Sequence, residues 1–92
     1  MKQLQPTTQF KKDLKRYKHQ PKLLLELKKL LGLLVNEQPI PDVYLPHPLV
    51  GKYKGCLECH IESDFLLIWI DDKRGIIELV RLGSHSELFG KK

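Results

Sequence analysis

Apolar residues recur at two different spacings along the chain, and the change of spacing divides it. Phe10, Leu14 and Tyr17 stand at i, i+4 and i+7, the stripe of an amphipathic helix. Thr7 or Thr8 is suited to cap that helix, which is expected to run to about Tyr17 or Lys18. Pro21 suits the first turn of a second helix. Its core face is Leu23, Leu27, Leu30, Leu31 and Leu34, widened by Leu24. From Lys52 the spacing becomes two. Tyr53, Leu57, Cys59 and Ile61 fall on one face of a strand, and Lys52, Lys54, Cys56, Glu58 and His60 on the other. The run DFLLIWIDD reads as a central strand, apolar on both faces. DDKRG makes a turn, and GIIELVRLG returns antiparallel. The tail SHSELFG adds a helical turn or folds over the sheet, and a strand near KQLQP is weakly signalled.

Between the halves lies NEQPIPDVYLPHPLVG, whose four prolines exclude a regular element and predict an extended connection. The expectation is one α+β domain over residues 1–92: a helical half at about 7–36, the connection at 37–50 and a sheet half at 51–92. Two N-terminal helices pack on one face of a small, twisted, antiparallel β-sheet. The leucine-rich helix takes one sheet face, so the face carrying Lys54, Cys56, Glu58 and His60 is expected to look outward.

Composition narrows the class. The chain has 92 residues, 41% hydrophobic and 29% charged, and a formal net charge of +5. That describes one small globular unit with a preference for an anionic partner, whether nucleic acid, a membrane surface or an acidic protein. Eight of the 16 Lys and Arg residues lie between Lys11 and Lys29, opposed there by Asp13 and Glu26 alone. Such a surface grips RNA backbone through counterion release, or receives an acidic protein segment. The first ten residues have no apolar core of a signal peptide, and Leu23–Val35 is too short and too charged to span a bilayer. A cytoplasmic protein with reduced cysteines and no membrane partner is expected.

Cys56, Cys59 and His60 form a C-x-x-C-H string, the signature of c-type haem attachment. In a strand, however, the odd spacing sends the two sulfurs to opposite faces, so they cannot converge on a haem or a zinc ion. Cys59 reads as a small core residue. His60 then belongs with the other histidines. His47 precedes the first long strand, Asp64 lies at the turn after His60, and His85 follows the last strand, four residues after Arg81 and four before Phe89. Only His19 looks like plain surface. Strand ends and flanking loops can gather three imidazoles, a carboxylate, an arginine and a lysine on one rim.

Such a rim suits phosphodiester cleavage without a metal. RNA supplies its own nucleophile, the 2′-hydroxyl, so the protein need only supply a base, an acid for the leaving 5′-oxygen, and cations for the phosphorane charge. Imidazoles titrate near neutral pH and serve as either acid or base. Arg and Lys supply preorganised charge.

The segments HPLVGKYKGCLECHIESDFLLIWI and RLGSHSELFG resemble the YafQ-like branch of the RelE/ParE superfamily, the ribonuclease toxins of bacterial type II toxin–antitoxin systems. The resemblance spans the whole order of elements, and its motifs run from His47 to Gly90. It implies a RelE-like fold and an mRNA interferase that enters the ribosome, contacts rRNA and cleaves mRNA. It implies neither metal nor cofactor, and neutralisation by a cognate antitoxin of the DinJ/RelB kind. By position, the family's functional residues fall on His47, His60, Asp64, Arg81 and His85, with Lys54, Phe65 and Phe89 as substrate contacts. Asp64 or His60 is expected to be the general base and His85 the general acid. Arg81 and Lys54 would hold the phosphate, and His47 would position substrate or aid proton transfer. The family often has Trp where Phe65 stands. Arg81 shares parity with Leu79 and Ile77, so a bulge or end-of-strand twist must turn it towards His60. The alternative is a toxin of the same fold that inhibits DNA gyrase, which needs no acid–base set.

Overall fold

The computed structural model describes residues 1–72 and 74–90. The elements in chain order are β1 (Gln3–Pro6), α1 (Thr8–Arg16), α2 (Pro21–Val35), β2 (His47–Pro48), β3 (Leu57–Glu62), β4 (Phe65–Asp72), β5 (Ile76–Gly83) and α3 (His85–Phe89). Thr7 caps α1, its hydroxyl accepting the Phe10 N–H at 3.0 Å. Pro21 starts α2 as expected, and Leu27, Leu30 and Leu34 form its buried stripe.

The strands form one sheet in the order β1-β5-β4-β3-β2. Pairing is antiparallel from β2 to β5, but β1 lies parallel to β5, so the sheet is mixed where a wholly antiparallel one was expected. The turn expected over residues 71–75 includes Lys73, which lies outside the described residues, as do residues 91 and 92. The proline-rich connection is more ordered than its composition suggested. It holds a 3-10 turn at Asp42–Tyr44 and the two-residue strand β2. The first long strand also starts later than the alternation implied. Gly51–Tyr53 forms a second 3-10 turn, Gly55 follows at φ 94°, and β3 begins at Leu57. Glycine tolerates that left-handed backbone, which an L side chain rarely adopts.

Helices α1 and α2 cover one sheet face. Phe10, Leu27, Leu30 and Leu34 pack there on Cys59, Ile61, Phe65, Leu67, Trp69, Ile77, Leu79 and Leu82. Each such apolar side chain, fully buried, is worth about 1.5–3 kcal/mol. The opposite face is not open, as expected from the sequence, but carries a second, smaller core. Leu88 of α3 lies there with Cys56, Leu66 and Ile68, flanked by Leu49 and Tyr53. Cys56 and Glu58 are consequently buried. The two thiols are free and sit in different cores, on opposite faces of the sheet. Burial, with the Glu58 charge adding, pushes the Cys59 thiol up to about 12.

A bulge interrupts β5. Trp69 pairs with Leu79 but Ile68 with Arg81, so Val80 is an extra residue on that strand. Beyond it the alternation inverts. Leu82 takes the helix-covered face that Ile77 and Leu79 occupy upstream, and Arg81 pairs with Ile68 of the second core. The bulge required for Arg81 is thus present. Past Leu79, where β1 ends, α1 covers the β5 edge. The Thr7 hydroxyl donates to the Val80 carbonyl at 3.1 Å, and the Asp13 carboxylate accepts the Leu82 N–H at 3.0 Å.

Candidate active site

The site begins with cross-strand pairing. β2 contributes His47 opposite Glu58 of β3, and its ring Nε2 lies 2.9 Å from Glu58 Oε1. The other ring nitrogen, Nδ1, lies 2.8 Å from the Leu45 carbonyl oxygen. Leu45 has a left-handed backbone at φ 51°, a conformation that costs a non-glycine residue about 1–2 kcal/mol. His60, two residues after Glu58 on the same face, has Nε2 3.8 Å from the same Oε1. Its ring centre lies 6.1 Å from that of His47 and 5.6 Å from that of His85.

His85 is the first residue of α3. Ser84 caps this five-residue helix: its hydroxyl accepts the Glu87 N–H at 3.2 Å, while Glu87 Oε1 accepts the Ser84 N–H at 2.9 Å. Glu87 also accepts from the Tyr17 hydroxyl and, at 3.3 Å, from Arg16, which ties α3 to α1. The Tyr17 hydroxyl is pushed up by burial and by Glu87, and hydrogen bonding from Tyr17 in turn holds Glu87 below its ordinary value. From the β3–β4 turn, Asp64 Oδ1 accepts the His85 backbone N–H at 2.9 Å and faces its ring Nδ1 at 3.0 Å. The backbone N–H and then the ring of His85 hold the Asp64 carboxyl below the usual carboxylate range. With Nδ1 donating to Asp64, Nε2 of His85 is left for substrate.

A second chain of contacts joins the row. The Phe89 ring lies 5.9 Å from His85 and meets Tyr53 edge-on at 5.4 Å. Tyr53 donates to the Leu88 carbonyl at 3.1 Å and accepts from Arg81 Nη1 at 3.2 Å. Arg81 in turn grips Asp13 through Nε at 2.7 Å and Nη2 at 3.1 Å. Burial works to raise the Asp13 carboxyl, but the hydrogen bonds from Arg81, the Leu82 N–H and Gln9 outweigh it and hold it low. Three of the five guanidinium N–H groups are thus committed within the protein, and two are left for a ligand.

Of the residues singled out from sequence, His47, His60, Asp64, His85 and Phe89 are brought together, with Arg81 linked through Tyr53. Lys54 is exposed just after the Gly51–Tyr53 turn, and no contact among the described residues ties it to the imidazoles. Phe65 is a correction. Expected as a substrate contact, it is 4% exposed in the helix-covered core, with Tyr17 edge-on at 4.6 Å. It falls on the opposite sheet face from His60 because β4 alternates: Leu66 pairs with His60, and Phe65 joins Leu67 and Trp69 on the helix-covered side. Three residues escaped sequence reasoning: Glu58, Tyr53 and Asp13. Asp13 did leave a trace, as the lone acid of α1. Among the described residues, no group of three or more His, Cys, Asp or Glu side chains is arranged to hold a metal ion.

Comparison with known proteins bears on the family and the fold. Residues 2–90 match the family model described as bacterial toxin of type II toxin–antitoxin system, YafQ. Over 84 residues the chain is 40% identical to the mRNA interferase toxin YafQ of Escherichia coli K12, covering 89% of each chain. The crystal structure of YafQ from E. coli BL21(DE3) superposes with a TM-score of 0.88 at 34% identity, over 98% of this chain and 100% of that one. YafQ in the E. coli DinJ–YafQ complex gives 0.86 at 35% identity, again over 98% and 100%. With the match spanning nearly every residue from β1 to α3, the chain belongs to the YafQ family of bacterial type II toxin–antitoxin toxins.

Proposed function

We propose that this toxin is an mRNA interferase, an endoribonuclease acting in the cytoplasm on mRNA held by the ribosome. The observation that carries the reading is the ring of His85, oriented by Asp64 and 5.6 Å from His60. Two imidazoles at that separation can flank one phosphodiester, one on the attacking and one on the leaving oxygen. His60 takes the proton of the 2′-hydroxyl as that oxygen attacks phosphorus. The bond to the 5′-oxygen breaks, and His85 Nε2 delivers a proton to it. The products are a 2′,3′-cyclic phosphate and a 5′-hydroxyl, and solvent returns the proton from His60 to His85. Each transfer is worth about 10²–10⁴ in rate. Asp64, with its oxygen engaged by His85, serves as the orienting carboxylate, and the two uncommitted N–H groups of Arg81 meet the phosphorane charge. Phe89, 37% exposed beside His85, offers a face for a base.

The lysines and arginines of α1 and α2 supply the grip on ribosomal RNA backbone. Between the same helices runs a groove of ≈ 580 Å³ whose floor is Leu14, Leu24, Leu27 and Leu31 and whose rim includes Lys11, Lys15, Lys18 and Lys28. An acidic, amphipathic segment of a DinJ-like antitoxin fits that combination. The acid–base set and the similarity to an mRNA interferase toxin favour this reading over gyrase inhibition. Primer extension on a translated mRNA, with and without ribosomes, tests it. Cleavage by the wild type and its loss in His85→Ala is the expected result; equal cleavage by the variant would overturn it.

A further inference from the structure

Tyr53 ends the Gly51–Tyr53 turn and lies partly buried against the second core, with Leu88 and Cys56. Its hydroxyl stands between two groups that leave it one arrangement. The Leu88 carbonyl, at 3.1 Å, can only accept, so it takes the single hydrogen. Arg81 Nη1, at 3.2 Å, can only donate, so it meets an oxygen lone pair. The ring of Tyr53 meets Phe89 edge-on at 5.4 Å, and Lys52 Nζ lies 5.4 Å from its centre.

These neighbours carry the parts of the candidate site that would face one phosphate. Asp13 holds Arg81 from α1, through Nε and Nη2, but the imidazoles of the site stand on other elements. α3 carries both His85 and Phe89. The last carbonyls of a helix lack partners within it, and Tyr53 supplies one for Leu88. One phenol oxygen therefore ties the guanidinium to α3, the helix that presents the acid. The N–H groups of Arg81 left over are one on Nη1 and one on Nη2, which can serve two oxygens of one phosphate.

From this we infer that Tyr53 is a positioning residue for cleavage, its hydroxyl setting the free N–H groups of Arg81 in register with His85 and Phe89. The inference rests on the nuclease reading of the same site and deepens it. Tyr53 needs no contact with RNA in this role. A displacement of about 1 Å at such a cation costs on the order of 10² in rate, so one hydroxyl is enough to matter. The ring alone would pack on Leu88 and Phe89 equally well as phenylalanine, and only the oxygen reaches Arg81.

The experiment compares Tyr53→Phe with the wild type on mRNA held by ribosomes, at a temperature where unfolding curves show both fully folded. kcat is expected to fall by about 10–10²-fold, the scale of one hydrogen bond to a charged group, with KM changed by less than about two-fold. The same substitution is then made in an Arg81→Lys background, where a cation still faces Asp13 but the planar fork is gone. There it is expected to lower kcat by less than about two-fold further, because the hydroxyl acts through the guanidinium. Wild-type cleavage by Tyr53→Phe, a rise in KM at unchanged kcat, or equal losses in the two backgrounds would each overturn the assignment alone. Absence of cleavage by the wild type would overturn the nuclease reading and the assignment with it.

Discussion

Asp13 and Arg81, on α1 and β5, meet in a two-pronged ion pair with contacts of 2.7 and 3.1 Å, and the same carboxylate accepts the Leu82 backbone N–H. One fully buried acid thus secures the first helix, the free edge of β5 and the arginine that faces the site. Without it, Arg81 is left as a largely buried cation with no partner.

Asp13→Ala is therefore expected to cost about 3–5 kcal/mol, the penalty for breaking a buried pair from one side. Urea unfolding should show the midpoint falling. The same pair sets a pH dependence. The folded-state pKa of Asp13 is depressed, so its contribution is complete above the ordinary carboxylate range and is lost as pH falls through the folded value. Acid titration of the wild type should show that loss, and Asp13→Asn should not.

Asp64→Asn keeps an oxygen able to accept the His85 backbone N–H but removes the charge behind the ring. Both side chains are more than half exposed, so the fold should be unaffected. Cleavage should drop by about 10²–10⁴, as expected when a general acid loses its orienting partner. A primer-extension time course, with unfolding curves as control, reads both quantities.

Gly83→Ala tests how tightly α3 is seated. A Cβ at Gly83 would stand 2.7 Å from Glu87 Oε1, which Ser84 and Tyr17 hold in place. The Glu87 carboxylate must give way, which disturbs the Ser84 cap that starts α3 at His85. About 1–3 kcal/mol of stability is expected to go, the usual cost of overfilling a packed site. Cleavage should fall further than unfolding alone explains, measured at a temperature where the variant is fully folded.

Phe65→Ala separates packing from recognition. A ring 4% exposed against Tyr17 is worth about 3–5 kcal/mol to stability when truncated. Phe65→Leu restores most of the volume and is expected to cleave mRNA within a few-fold of wild type. Loss of cleavage in a well-folded Phe65→Leu protein would return the residue to the substrate surface.

Much of this molecule is legible in the sequence because periodicity reports faces. The spacing of Leu27, Leu30 and Leu34 locates the buried side of α2, and two-residue alternation puts Glu58 and His60 on one side of β3 and Cys59 on the other. Parity also shows that Arg81 needs a bulge, which Val80 supplies. What periodicity does not report is which element covers a face. α3 has five residues, too few for a helical stripe, yet Leu88 on it joins Cys56, Leu66 and Ile68 in the second core. The direction of β1 depends on where the chain returns after the sheet is built. Phe65 obeys parity, sharing the helix-covered face with Leu67 and Trp69; the resemblance, not the alternation, sets it at the substrate. Pairings across long separations, such as Asp13 with Arg81, leave no local signal beyond an acid in a basic helix.

Both outermost strands end in proline: Pro6 closes β1, and Pro48 is half of β2. Proline has no N–H to offer an incoming backbone, and a two-residue rim gives little to template upon. Stray chains emerging from unfolding or synthesis therefore find few open hydrogen-bonding rows along either flank. The toxin is built, at its margins, against fibrous growth.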